Sequence, residues 1–228
     1  MLLSPSVNGL QLMLDICLRT AANLSLQSNC SKSHCLVIGR AVDAKLQSLL
    51  LGDNHIHWSQ SIKYLDVHVT AGKKLSFDVN PMKRSFYTAC NSICANTDGL
   101  NKMALLSLQE AYSLSILMYA APDLHLNVKQ TSELNVCWNT VFHRIFRYNK
   151  WESVRAVIDG CARLDVKHLI ILRRIQFYRH IFYMNDSVLH YLFCALMSAD
   201  CVYDNYMISV FTRNAASNVY KQFRADLQ

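Results

Sequence analysis

Hydrophobic positions divide this chain into a short mixed region and a longer helical one. Leu10, Met13, Leu14, Cys17, Leu18 and Ala21 recur at i, i+3, i+4 and share one helical face, and Ser6 or Asn8, just behind Pro5, can cap that helix. The run Cys35-Leu36-Val37-Ile38 is short, partly β-branched and stopped by Gly39, which predicts a strand. Leu49 to Leu51 precede the turn signal Gly52-Asp53-Asn54, and Ile56 through Val69 alternates, with Tyr64, Val67 and Val69 as β formers. The sheet is expected to end there. From Asp78 onward the period is helical. Asn80-Pro81 starts a helix carrying Phe86, Tyr87, Cys90, Ile93 and Cys94, and Leu105, Leu108, Tyr112, Ile116 and Tyr119 mark a second, stopped at Ala121-Pro122. Val136, Phe142, Ile145 and Phe146 mark a third. Asp165 caps a fourth with Leu169, Leu172, Ile175, Phe177, Tyr178 and Ile181, and two more are expected within 188–197 and 206–223. The pattern predicts an α+β fold, predominantly α. A small antiparallel sheet with one helix occupies residues 1–75, a helical region 76–183, and a C-terminal helical extension 184–228.

Composition sharpens this picture. With 228 residues, 52% hydrophobic content, 6 Gly and 3 Pro, the chain is neither a disordered tail nor a Pro-rich linker and can bury a core. Its 17% charged content is below the usual value of roughly 25%, leaving apolar surface for a partner. The nine cysteines are odd in number and contain no CxxC pair, and Met1-Leu2-Leu3-Ser4 opens without a basic leader segment. Unpaired thiols in a reducing intracellular compartment, cytoplasmic or nuclear, are expected. The longest apolar run, Ala104 to Ala121, is interrupted by Gln109 and Glu110 and reads as a buried helix, so no membrane partner is expected.

Catalytic patterns are absent: no GxSxG, P-loop, HExxH or glycine-rich dinucleotide turn occurs. His55 and His57 alternate near His68 without a carboxylate pattern, and the aspartates are scattered, so neither a metal site nor paired acid/base residues are expected. One charge feature stands out. Between His143 and His180, nine Arg and Lys face only Glu152, Asp159 and Asp165, with Phe142, Phe146, Tyr148, Trp151, Phe177 and Tyr178 interleaved. Cations beside aromatic rings suit a phosphate backbone and its bases, with Arg144, Arg147, Lys150, Arg173 and Arg174 as the contacts. The same charges fit an alternative, a small basic helical interaction protein that binds an acidic protein partner without catalysis.

The order of short motifs adds an ancestry. Leu2-Leu3-Ser4-Pro5-Ser6 precedes a helix with Leu10, Gln11, Leu14, Asp15 and Cys17; Asn29, Lys32 and Ser33 follow, then Lys63, Tyr64, Leu65 and Asp66. This series resembles the reverse transcriptases of non-LTR (LINE-like) retrotransposons, in which a Y-A-D-D turn is followed by L-L-S-P-S, L-Q-x-x-L-D-x-C, N-x-x-K-S and K-Y-L-G. Segments around Leu134 to Trp151 and Arg163 to Leu169 are similar to the helical region beyond the polymerase sheet, and the likeness covers roughly residues 1 to 183.

What the resemblance implies is an RNA-directed DNA polymerase palm edge over 1–75 and a helical thumb over 76–183 that grips a template-primer duplex, RNA-DNA or DNA, weakly and without sequence preference. Lys32 would lie near the nucleotide phosphates, and Lys63, Tyr64 and Leu65 would form the primer grip. Two departures stand out. Asp66 replaces the family glycine, and no Tyr-Ala-Asp-Asp is present. Polymerase chemistry needs carboxylates that hold two Mg²⁺ ions. The expectation is therefore a truncated fragment, inactive alone, with no cofactor of its own and a missing N-terminal polymerase region as its partner.

Overall fold

The computed structural model describes residues 1–44, 46–97, 99–184, 188–192, 221–222 and 224–226. The fold is α+β and predominantly α, as the hydrophobic pattern predicts. It divides into two compact units, Met1–Asp78 and Val79–Gln228.

The first unit opens with α1 (Val7–Asn23), capped by the Ser6 hydroxyl, which accepts from the Gly9 N–H at 3.1 Å. Val7, Leu10, Leu14 and Leu18 lie over Leu49, Leu51 and Ile56 of the hairpin β1 (Leu49–Leu51) and β2 (Asn54–Ile56). Gly52, at φ 63°, supplies the left-handed residue of its turn. Gln11 joins helix to strand edge: its amide nitrogen donates to the Leu50 carbonyl at 2.9 Å and its oxygen accepts from the Leu50 N–H at 2.8 Å. The carboxamide thus takes the place of a neighbouring strand's peptide group, and Asp15 steadies it by accepting at 2.8 Å. Met13 and Cys17, expected on the packed face, are exposed.

A three-stranded antiparallel sheet follows, ordered β3 (Ser61–Tyr64), β4 (Val67–Thr70), β5 (Ser76–Asp78). The sheet runs past its expected end because Phe77 pairs with Val69, and the Thr70 hydroxyl meets Ser76 Oγ at 2.6 Å. The strand expected at Cys35 to Ile38 does not form a ladder. It makes single parallel bridges, Cys35 to Trp58 and Ile38 to Gly72, between 3₁₀ turns at Cys30–Lys32 and Arg40–Asp43. Its partners at 58 and 72 belong to different stretches of chain, so neither side offers a continuous strand to pair with.

The second unit is helical: α2 (Asn80–Ala95), α3 (Lys102–Gln109), a π turn (Glu110–Leu114), α4 (Ser115–Ala120), α5 (Val128–Phe146), α6 (Arg155–Gly160) and α7 (Val166–Tyr183). Phe86, Leu106, Leu117, Leu134, Trp138, Phe142, Ile158 and Leu164 fill the core. Trp138 meets its polar requirement by donating to the Leu164 carbonyl at 3.1 Å. The buried line through α3 and α4 runs through Leu106, Gln109, Ser113, Leu117 and Ala120, whereas Tyr112 and Tyr119, expected inside, are each 63% exposed. Gln109 and Ser113 are tolerated there because they are satisfied: Ser113 Oγ donates within 2.7 Å of the Gln109 carbonyl and side-chain oxygens, and Gln109 Nε2 donates to the Cys90 carbonyl at 3.2 Å. Val136 and Phe177 are likewise exposed, while Cys137 beside Val136 is buried and Ile175 keeps its expected core place. Helix α6 has too few residues for a periodic signal and was not expected. Residues 188–192 are helical, and the rest of the two C-terminal helices expected lies largely outside the described residues.

Candidate nucleic-acid interface

In the first unit, Asn29-Cys30-Ser31-Lys32-Ser33 closes into a compact 3₁₀ turn. The Asn29 side-chain oxygen accepts from the Lys32 N–H at 3.3 Å and the Ser31 hydroxyl at 2.7 Å, and the Ser33 hydroxyl donates to the Asn29 carbonyl at 2.9 Å. Asn29 and Ser33 thereby shape the turn, and Lys32 is exposed on it.

Lys63 and Tyr64 end β3, and Leu65 with Asp66 form the two-residue tip of the β3–β4 hairpin, closed by the Tyr64–Val67 pair. Both tip residues are left-handed, with φ 47° at Leu65 and 61° at Asp66. A two-residue hairpin with positive φ at both central positions is where Asn-Gly is favoured, because glycine has no Cβ to clash. The glycine absent at position 66 is therefore, first, a turn-forming residue. Asp66 compensates in part through Lys63, whose Nζ lies 2.6 Å from Asp66 Oδ1, and this hydrogen bond and charge hold the Asp66 carboxyl below its usual range. Tyr64 and Leu65 project outward, 45% and 67% exposed.

In the second unit the basic stretch separates into residues with different jobs. Arg174 is half-buried: its Nε donates to the Pro122 carbonyl at 2.6 Å and its Nη2 to the Leu124 carbonyl at 3.0 Å. It braces the turn that follows α4 through these two carbonyls, which engages the guanidinium expected to contact phosphate. Arg173, beside it on α7, is exposed. Arg144 leans on α2, donating to Asn91 Oδ1 and toward Cys90 Sγ.

Two further cations of the stretch, Arg147 and Lys150, stand at and just beyond the C-terminal end of α5. Arg147 closes that helix in the left-handed conformation, φ 62°, and the loop beyond it carries Tyr148, Lys150 and Trp151. Arg147 and Lys150 are exposed. Trp151 is 76% exposed, with Lys150 Nζ 5.9 Å from its ring centroid, and Lys102 from α3 stands 5.6 Å from the Phe146 ring. Lys102 was missed by sequence reasoning, because it lies far from Phe146 along the chain and only folding joins them. A cation beside an open indole ring supplies both phosphate neutralisation and a stacking surface. Among the described residues there is no group of three or more His, Cys, Asp and Glu side chains placed to hold a metal ion, and no helix long and apolar enough to cross a membrane.

Compared with protein-family models, curated proteins and solved structures, the chain matches none.

Proposed function

We propose that this chain is the palm-edge and thumb part of a reverse transcriptase of the non-LTR retrotransposon type, and that its helical unit holds a template-primer duplex through the surface at the end of α5. The observation that carries the reading is the exposed Trp151 with Lys150 Nζ 5.9 Å from its ring, in the loop that follows the exposed Arg147 and Tyr148. An indole 76% exposed beside a cation buries little of its ring in the fold and offers that ring to a strand of bases. A second support comes from the hairpin. The family pattern K-Y-L-G puts its glycine at position 66, where the backbone is left-handed and glycine relieves strain.

In this reading Arg147, Lys150 and Lys102 neutralise phosphates and Trp151 stacks on a base or sugar, giving affinity without sequence choice. For the first unit, taken by itself, the resemblance assigns Lys32 to nucleotide phosphates and Lys63, Tyr64 and Leu65 to a primer end. Lys63 contributes less charge than its sequence position implies, since Asp66 already pairs with it. The chain carries no Tyr-Ala-Asp-Asp and does not extend a primer by itself.

The test is a salt titration of a fluorescent RNA-DNA hybrid. Wild-type affinity should fall with a log-log slope of about −3, as three phosphate contacts imply, and neutralising Arg147 and Lys150 together should flatten it by roughly 2. Trp151→Ala should weaken binding by roughly 1–3 kcal/mol without changing the slope, because stacking is not electrostatic. Binding that ignores salt, or a double variant with the wild-type slope, would leave this surface as ordinary solvated helix end.

A further inference from the structure

The loop from α5 to α6 carries a turn that is held on both sides. The Tyr148 N–H donates back to the His143 carbonyl at 3.0 Å, which closes α5 and fixes the direction in which the chain leaves it. Beyond it the Glu152 N–H donates to the Asn149 carbonyl at 3.0 Å, and the Asn149 N–H donates to Glu152 Oε2 at 2.5 Å. Asn149 and Glu152 thus bond each other twice, and Lys150 and Trp151 are the two central residues between them. Ile145 before the turn and Val154 after it are 5% and 2% exposed, so both flanks are seated in the core while the tip stands out.

This arrangement discriminates among strands. Lys150 Nζ lies over the Trp151 ring, 5.9 Å from its centroid, and Trp151 is 76% exposed, so ring surface remains for a second partner. Inside a duplex both faces of a base are covered by its neighbours, and a ring on a protruding turn reaches them only by breaking the stack. In an unpaired stretch the base faces are free, and aromatic side chains take them whatever the sequence. The turn also carries an anion. Glu152 is exposed, and by charge alone it would repel a strand. Its bond to the Asn149 N–H gives it a use, because a tip held in one shape loses less freedom on binding than a loose one.

We infer that the turn Asn149–Glu152 binds an unpaired nucleotide, with Trp151 stacking on its base, Lys150 meeting its phosphate and Glu152 acting as a positioning residue that keeps the tip in shape. The inference rests on the template-primer reading above and deepens it: the turn takes the unpaired template strand.

The test uses the full chain and an RNA-DNA hybrid with an unpaired template extension. The extension is made once with bases and once as abasic residues of the same length, so both forms carry the same phosphates. Wild type should bind the base-carrying form at least roughly fivefold more tightly, the lower end of what one stacked base contributes. Trp151→Ala should lose this preference, and Trp151→Phe, which keeps a smaller ring, should restore part of it. Glu152→Gln should keep it, since an amide oxygen still accepts from the Asn149 N–H. Glu152→Ala should lose most of it, although removing a negative charge would by itself tighten binding to phosphates. The indole N–H signal of Trp151 in NMR, identified by its disappearance in Trp151→Ala, should shift more with the base-carrying extension than with the abasic one. Equal affinity of wild type for the two forms, or a preference that survives Trp151→Ala, overturns the inference. Tighter binding by Glu152→Ala than by wild type overturns the positioning role. If the two forms bind equally and the salt slope holds, the nucleic-acid reading stands and this inference fails. If neither hybrid binds, but a free single strand with bases shifts the Trp151 signal and its abasic counterpart does not, the template-primer reading fails and the unpaired-base site stands.

Discussion

Replacing Leu65 by Asn should stabilise the first unit, although it removes a larger side chain. Leu65 has φ 47°, a conformation that costs an L-residue roughly 1–2 kcal/mol because Cβ crowds the following carbonyl. Asn tolerates this conformation better, since its side chain hydrogen-bonds locally, so about 1 kcal/mol should be recovered. The opposing loss is small: Leu65 is 67% exposed and lies outside the core beneath α1. Asp66→Gly is a weaker change. It relieves φ 61°, but it also breaks the solvent-exposed pair with Lys63 and frees the unfolded chain. The two effects nearly offset. Amide hydrogen exchange along the β3–β4 ladder is the assay, read at Ile62 and Val69. About 1 kcal/mol slows exchange roughly fivefold if the hairpin opens with its unit. Leu65→Ala is the control: it deletes the same apolar atoms but offers no side-chain amide to bond the local backbone, and should recover nothing. If Leu65→Ala protects as well as Leu65→Asn, or if Leu65→Asn speeds exchange, strain at the tip is not what limits this hairpin.

Arg174→Ala should lower the stability of the second unit by roughly 2–3 kcal/mol, as removal of charged hydrogen bonds to buried carbonyls does, while leaving the salt slope for nucleic acid unchanged; urea unfolding and the hybrid titration read the two separately. Gln11→Ala should cost about 1–2 kcal/mol in thermal unfolding of the first unit, because both polar groups of Leu50 lose their partner. Burial, and then the neighbouring Cys94, push the Cys90 thiol up to about 11. The unfolded thiol loses its proton near 9.0 and the folded one does not, so stability is intact below pH 9 and falls on the order of 1 kcal/mol per pH unit above it. Cys90→Ala should show a shallower decline than wild type when urea midpoints are compared at pH 8 and pH 10, the rest coming from Cys137 and Cys161, whose thiols burial also pushes up.

Local signals were read most securely from sequence. Ser6 and Asp165 cap the helices they precede, and Asn80-Pro81 opens α2, because a cap or a proline acts within one turn of its own position. The core line of α3 and α4 was misread by one residue for a physical reason. Gln109 and Ser113 are polar, so an apolar-stripe reading moves to Leu108 and Tyr112, and only the tertiary contact to Cys90 makes the polar line acceptable inside. The same limit governs the candidate interface. Composition singles out the basic, aromatic stretch, yet nothing near Arg174 in sequence says that Pro122 and Leu124 will engage it, nor that Lys102 will join Phe146. No motif surrounds Asp226 either, and only folding brings it to Lys167 and His168.

The π turn at Glu110–Leu114 gives the helical unit one spare residue. In an ordinary α-helix each residue turns the chain by about 100°, so losing one rotates everything beyond it off its partners. A wider turn already holds an extra residue between segments that are both seated in the core. Removing the exposed Ala111 would let this stretch close as plain α-helix while Leu106 and Leu117 kept their places, whereas the same shortening in the middle of α5 would swing Phe142 and Ile145 out of theirs. Tolerance to a change in chain length is thus built into one helix of this protein and absent from its neighbour.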